Sequence, residues 1–189
     1  YKLYLTEGSA LYASNEDLAA YAAAQGYITA DHILLTTVDT ATGKALSDEA
    51  IAEKKALAEE LAEKLKNYTG DDLASYFAEL ADEYSEDPGR ASYPTGYTFT
   101  TGSMVKEFED AAYALDEGAV SDIVESSFGY HILLRLPLDK AAAAESVREA
   151  YFTNFIDEQL EKVTLATSEQ FDALDAQALY EAIVAAQAE

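Results

Sequence analysis

Two short apolar segments, far apart in the chain, each carry a histidine followed by Ile-Leu-Leu, and they limit the fold more than any other feature. The first is the stretch 27–35, which contains His32, and the second is 128–135, which contains His131. These are the protein's two histidines. The apolar and β-branched residues around them favour β-strands. We therefore expect the two strands to lie side by side and to present both imidazoles to one site.

The remaining segments have the patterns of helices, short strands and loops. Helices are predicted at residues 16–25, 47–68, 72–80, 104–115, 141–163 and 172–186, and strands at 28–36, 97–100, 120–124 and 129–136. The main irregular segment, 85–96, contains two prolines and two glycines. The central order β-α-α-β-α-β-β predicts an α+β fold, in which helices pack on a four-stranded, mostly antiparallel sheet and further helices flank it.

Composition excludes several classes of function. The chain has 189 residues, 49% of them apolar, which suits one domain with appendages. Its net charge of −24 argues against nucleic acid and against an anionic membrane surface, because both require clustered Lys and Arg. The acidic excess indicates a solvated surface, and an acid-rich face for Ca²⁺ or a cationic client is the alternative. With no cysteine there is no disulfide, thiolate zinc site or cysteine nucleophile.

The sequence lacks the motifs of most catalytic chemistries. The sequence has no His-Glu-x-x-His pair, phosphate-binding loop, dinucleotide fingerprint, nucleophile elbow or calcium loop, and two histidines fall short of a three-histidine zinc site. No cofactor or metal is therefore predicted. A single strand histidine is more often a hydrogen-bonded core residue than a catalyst. Two on strands that could pair favour a functional site.

Six stretches between Ile28 and Pro137 occur in the order and at the spacing of the parvulin-type (PpiC-like) peptidyl-prolyl isomerases, and the chain resembles that family. The stretches are His32-Ile-Leu-Leu35, Tyr84-Ser-Glu-Asp-Pro88, Phe99-Thr-Thr-Gly-Ser-Met104, Glu107-Phe-Glu-Asp-Ala-Ala-Tyr-Ala-Leu115, Gly118-Ala-Val-Ser-Asp122 and Gly129-Tyr-His-Ile-Leu-Leu134. Together they are highly specific. One departure is Tyr93-Pro-Thr-Gly-Tyr-Thr98, where the family usually has Gly-Gly-Asp-Leu-Gly.

The resemblance implies a catalytic group of His32, Asp87 and His131. It also implies a pocket for the proline ring. The substrate-binding residues would be Met104 and Phe108 as walls, Ser126, Phe128 and Tyr130 near the rim, and Tyr97 in place of the missing leucine. From spacing alone, Met104 and Phe108 are equally well explained as the apolar core of a helix.

The flanking helices resemble those of the exported PrsA-like foldases. That resemblance implies an N-terminal helical segment at 1–26, left from a split chaperone domain, an isomerase domain at 27–137 and a C-terminal helical segment at 138–189. It further implies an extracytoplasmic, membrane-attached folding factor acting on unfolded or partly folded polypeptides that contain X–Pro bonds. The sequence leaves open whether the chain forms an oligomer through the flanking helices.

Two other interpretations compete with an active isomerase. One is a holdase that keeps the parvulin fold with little or no activity, and the other is an unrelated acidic binding domain. A phosphate-directed isomerase is not expected, because the loop 36–46 after the first strand has Asp39 and a single cation, Lys44.

Overall fold

A computed structural model of the chain describes residues 12–39 and 41–161. Their elements are α1 (Asn15–Ala24), β1 (Ile28–Thr36), α2 (Asp48–Lys66), α3 (Leu73–Tyr84), β2 (Tyr97–Phe99), α4 (Lys106–Ala114), β3 (Val124–Glu125), β4 (Gly129–Leu136) and α5 (Lys140–Glu161). The order predicted from the sequence is confirmed. The expected helix at 172–186 and the end of the expected helix at 141–163 lie outside the described residues.

The four strands form one sheet in the order β2-β1-β4-β3, and every pairing between them is antiparallel. The two histidine strands, β1 and β4, are central and pair along eight residues, from Thr29 opposite Leu136 to Thr36 opposite Gly129. This confirms the α+β prediction. The edge strand expected at 120–124 is shorter than predicted: Val120 forms one isolated bridge, and regular pairing is confined to β3.

Side-chain alternation along the central strands divides the core between the two faces of the sheet. On one face, Ile33 and Ile132 pack with Leu61 of α2 and Phe77 of α3. On the other face, Ala30 and Leu133 pack with Phe99 and with Phe108 of α4. The histidines lie on this second face, beside the short helix α4.

Helix α1 begins with a capping box, in which the Ser14 hydroxyl accepts from the Asp17 amide and the Asp17 carboxylate accepts from the Ser14 amide. The start of α5 lies against it, with the rings of Tyr21 and Tyr151 in edge-to-face contact at 5.1 Å. Lys140 pairs with Glu16 at 3.0 Å. Helices α1 and α5 thus contact each other.

By its internal contacts the chain divides into two compact units, residues 1–151 and 152–189. Of the second unit, the structure describes residues 152–161, which are helical. Within the described residues, no helix has both the length and the apolar character needed to cross a membrane.

Candidate active site

The register of β1 and β4 brings the two histidines together. His32 is opposite Leu133 and His131 is opposite Leu34, so the histidines are diagonal neighbours on the same face of the sheet. Their ring centroids are 5.5 Å apart and the rings are tilted by 57°. The adjacency predicted from the sequence is confirmed, whereas the catalytic role of the pair stays a prediction.

Asp87 reaches this pair because the irregular segment follows the free edge of β1. Beyond the pairing with β2, the Glu86 amide donates to the Leu34 carbonyl at 2.8 Å, and the Leu34 amide donates to the Ser85 hydroxyl at 3.1 Å. The chain therefore passes beside His32. Asp87 Oδ2 lies 3.7 Å from His32 Nε2, which is an electrostatic contact rather than a hydrogen bond.

Arg90 fixes the same segment to the opposite face of the sheet. Its Nη1 donates to both carboxylate oxygens of Asp31, at 2.7 and 2.8 Å, and its Nε donates to Asp82 at 2.8 Å. Because Asp31 precedes His32 in the strand, their side chains point to opposite faces. The guanidinium is thereby held away from the imidazoles and is already bound to two carboxylates.

Both histidines are buried, with His32 7% and His131 4% exposed. Burial lowers the pKa of each to about 4, because an imidazolium in this apolar setting loses its hydration, and the Asp87 charge only partly opposes this. Both rings are therefore neutral at pH 7. The Ser126 hydroxyl is hydrogen-bonded to His131 Nε2 at 2.7 Å. Within the described chain, neither Nδ1 has a hydrogen-bond partner.

The imidazoles face a mostly apolar cleft of about 460 Å³. Phe108 forms the floor of the cleft. Its ring is edge-on to both imidazoles, with ring centroids 5.1 Å from that of His32 and 5.7 Å from that of His131. The charged residue in its lining is Asp87. A cavity of about 490 Å³ lies elsewhere, between α2 and the loop before β3, but it lacks imidazole and aromatic side chains. In the part of the chain that is described, no group of three or more metal-ligating side chains is placed to hold an ion.

Most residues singled out from the sequence gather at this cleft. It is lined by His32, Asp87, Tyr97, Met104, Phe108, Phe128 and His131, and Ser126 supports His131. Tyr130 does not take part. It is 7% exposed and packs in the core on the α2 and α3 side, since side chains alternate along β4 and its neighbour His131 points the other way. The prediction that Tyr130 lies near the rim of the cleft is therefore wrong, and Tyr130 is not among the substrate-binding residues proposed below.

Sequence reasoning missed four lining residues, which are Leu34, Pro88, Ser103 and Val105. Leu34 could have been found, because it lies two residues after His32 and so shares its face of the strand. Pro88 follows Asp87 directly and enters the cleft with it. Ser103 and Val105 flank Met104 in a loop, and no periodic pattern marks a loop residue.

Met104 belongs to that loop, although the sequence predicted it as the first residue of a helix. Helix α4 begins at Lys106. The buried carboxylate of Glu109 accepts from the Met104 amide at 2.9 Å and from the Gly102 amide at 3.0 Å. These amides lower the pKa of Glu109. The bonds bend the loop back over the start of α4 and hold Met104 at the cleft.

Comparison with known proteins agrees with this geometry. The family described as Rotamase, PPIC-type PPIase domain matches residues 32–136, more than half of the chain. Foldase protein PrsA of Geobacillus sp. (strain WCH70) is 51% identical over 78 residues, which are 40% of this chain and 27% of the relative. Chaperone SurA of Chromohalobacter salexigens is 34% identical over 119 residues, which are 59% of this chain and 26% of the relative.

Among solved structures, PrsA from Bacillus subtilis is similar with a TM-score of 0.48 and 25% identity, over 84% of this chain and 59% of that one. The matched regions span only about a quarter of the length of the PrsA and SurA relatives. The similarity to those proteins therefore concerns one part of each.

Proposed function

The chain belongs to the PpiC-type peptidyl-prolyl isomerase family, and on that premise we propose that it catalyses cis–trans isomerisation of X–Pro bonds in unfolded or partly folded polypeptides. The observation that carries the proposal is the pair of neutral, buried imidazoles facing an apolar cleft with Phe108 as its floor. We further propose His32, Asp87 and His131 as the catalytic group.

The reaction requires a setting of this kind. Rotation about an X–Pro bond must overcome a barrier of roughly 20 kcal/mol that originates in amide resonance. The twisted amide has lost that resonance and is less polar than the planar form, so an apolar cleft favours it relative to the ground state. Phe108 and Met104 would hold the proline ring, and the imidazoles would set the local polarity beside the rotating bond. No bond breaks, so no nucleophile is needed.

The proposal is tested by measuring isomerisation directly. In NMR exchange spectroscopy on an Ala-Pro peptide in large excess, the protein should accelerate interconversion of the cis and trans signals. A His32→Leu/His131→Leu variant, matched in concentration and checked for folding, should lose that acceleration. A folded wild-type protein that leaves the uncatalysed rate unchanged would contradict the proposal and favour the holdase interpretation.

We propose that the clients are exported proteins and that the chain works outside the cytoplasm. Relatives named as foldase and as chaperone support polypeptide clients. Attachment to a membrane and self-association through the flanking helices remain proposals for the whole protein. Fractionation of cells that produce the whole protein, with and without alkaline extraction of the membranes, would test location and attachment together.

A phosphorylated Ser-Pro peptide should be isomerised no faster than its unphosphorylated twin. Arg90 is bound to carboxylates on the other face of the sheet, and Asp87 is the charged side chain in the cleft lining. The net charge of −24 would further repel a phosphate dianion, most strongly at low salt. Exchange rates of both peptides at two ionic strengths would measure this.

A clear preference for the phosphopeptide at low ionic strength would overturn that expectation. Lys44 is then the first residue to test, because it lies in the loop after β1. Loss of the preference in a Lys44→Gln variant would identify a basic site there, with Lys55→Gln, a change at an exposed lysine of α2, as the control.

A further inference from the structure

Tyr97 contacts both Asp87 and His32. Its hydroxyl donates to Asp87 Oδ2 at 2.6 Å, and this is the same oxygen that lies 3.7 Å from His32 Nε2. Its ring stacks on the His32 ring, with centroids 5.6 Å apart and planes inclined by 23°. One tyrosine thus shields the imidazole and donates a hydrogen bond to the carboxylate oxygen that would otherwise be free to accept one from His32.

The surrounding backbone is shaped to hold this tyrosine. A Cβ atom at position 89 would lie 1.9 Å from the Tyr97 hydroxyl, so only glycine leaves room for it. Gly96, directly before the tyrosine, has a φ of +88° and would place a Cβ 2.7 Å from the Ala30 carbonyl oxygen. On its outer side, the Tyr97 ring packs against the Tyr93 ring, with the ring centroids 4.6 Å apart. The position of the Tyr97 ring is therefore fixed by the close approach of Gly96 to β1, by the space that Gly89 leaves for the hydroxyl, and by Tyr93 on the other side of the ring.

We infer that Tyr97 is a positioning residue, whose hydroxyl holds the Asp87 carboxylate away from the His32 ring and thereby prevents that carboxylate from stabilising an imidazolium at His32. The inference rests on the proposed function only in assuming that isomerisation needs a neutral cleft. It goes beyond substrate contact, because Tyr97 acts here through Asp87.

The physical basis is competition for one carboxylate oxygen. A carboxylate that hydrogen-bonds an imidazolium stabilises its charge, and an opposite charge within about 4–6 Å shifts a pKa by about 1–3 units. Burial, together with the hydrogen bond to Asp87, raises the pKa of Tyr97 above its usual range, so the phenol stays a donor. As long as it donates, Asp87 Oδ2 keeps its 3.7 Å separation from His32.

Several other groups act on His32, and the test must hold them constant. The charged and titratable groups around it are Asp87 and Arg90 from the segment before β2, Tyr97 from β2, His131 from β4 and Asp31 from β1 itself. The α4 helix contributes the apolar Phe108, and the Glu109 carboxylate on that helix is bound by loop amides. Removing the Tyr97 hydroxyl leaves the charges and hydrogen-bond partners of these groups in place, except that the Asp87 carboxylate loses its bond to Tyr97 and becomes free to turn.

The deciding measurement is the pKa of His32 in a Tyr97→Phe variant, followed through the imidazole Cε1–H signal in NMR. The protein has two histidines, so a His131→Gln variant assigns both signals. Without the hydroxyl, the Asp87 carboxylate can turn to His32. The pKa of His32 should then rise by about one unit. The acid limb of the kcat/KM profile should move upward in parallel. Tyr93→Phe, which removes a hydroxyl one ring further out, should leave the His32 pKa unchanged.

A double-variant cycle separates action through Asp87 from simple exposure of the ring. In an Asp87→Asn background, removing the Tyr97 hydroxyl should leave the His32 pKa unaltered, because no carboxylate remains. An equal rise with and without the Asp87 charge would overturn the inference, and so would an unchanged His32 pKa in a folded Tyr97→Phe protein. The NMR titration needs no turnover. A protein without isomerase activity that still shows the Asp87-dependent shift would therefore refute the proposed function and support this one.

Discussion

Replacing Phe108 with alanine should reduce isomerase turnover by roughly 10- to 100-fold and lower the free energy of unfolding by about 3–5 kcal/mol. Phe108 is 3% exposed and contacts both histidine rings as well as Phe99. Its removal would open the floor of the cleft and let water reach the imidazoles. The proline ring would then be held less firmly, and the twisted amide would lose its apolar surroundings.

The matched control is Phe77→Ala, in the core on the opposite face of the sheet. Phe77 is fully buried on α3 and packs with residues of α2 and the central strands. Its truncation should cost a similar free energy of unfolding in urea titration, while turnover per folded molecule stays at the wild-type level. Full turnover in a folded Phe108→Ala protein would place the proline pocket elsewhere.

Much of the fold was predictable because it depends on local patterns. Runs of apolar and β-branched residues mark β1 and β4, and the helices predicted to begin at residues 16 and 47 begin within one residue of those positions, at Asn15 and Asp48. The adjacency of the histidines was predictable too, since long apolar strands that carry the same triplet suit the centre of a sheet. Their register was not, because it depends on how the whole strand pair aligns.

The errors at the site come from equating closeness in sequence with closeness in space. Tyr130 adjoins His131 in the chain, yet strand alternation sends it into the opposite core. Met104 fits the apolar stripe of a helix, but the Glu109 carboxylate holds it in a loop through contacts that no periodicity records. A strict application of the two-residue strand period would have excluded Tyr130 from the sequence alone.

The position of Asp87 could be predicted only through the family resemblance. Physically it depends on a segment that runs along the edge of β1 and is fixed by the Arg90–Asp31 ion pair, which is formed by residues 59 positions apart. The role of the segment 93–98, which departs from the family pattern, also depends on contacts between residues that are apart in the sequence. The aromatic ring of Tyr97 lines the cleft there, and its hydroxyl binds Asp87.

Acidification should destabilise the protein between about pH 6.5 and pH 4, and the loss should begin before most carboxylates are protonated. A histidine in the unfolded chain titrates near 6.5, whereas burial lowers the pKa of His32 and His131 to about 4 in the folded protein. In that window the unfolded state binds more protons, so the free energy of unfolding falls as the pH falls. Each histidine should cost about 3 kcal/mol by pH 4, and the loss should vanish above pH 7.

Other groups titrate nearby, so the measurement must be a difference. Burial raises the pKa of Asp31, which works in the opposite sense, and protonation of a chain with a net charge of −24 relieves self-repulsion. Urea titrations of wild type and of a His32→Leu/His131→Leu variant at pH 7.5, 6, 5 and 4.5 share these contributions. The wild-type free energy should fall relative to the variant as the pH decreases, because only the wild type carries the imidazoles. Parallel curves in both proteins would show that the histidines are not held neutral by burial, and imidazole NMR titration of the wild type would give the same answer if the variant does not fold.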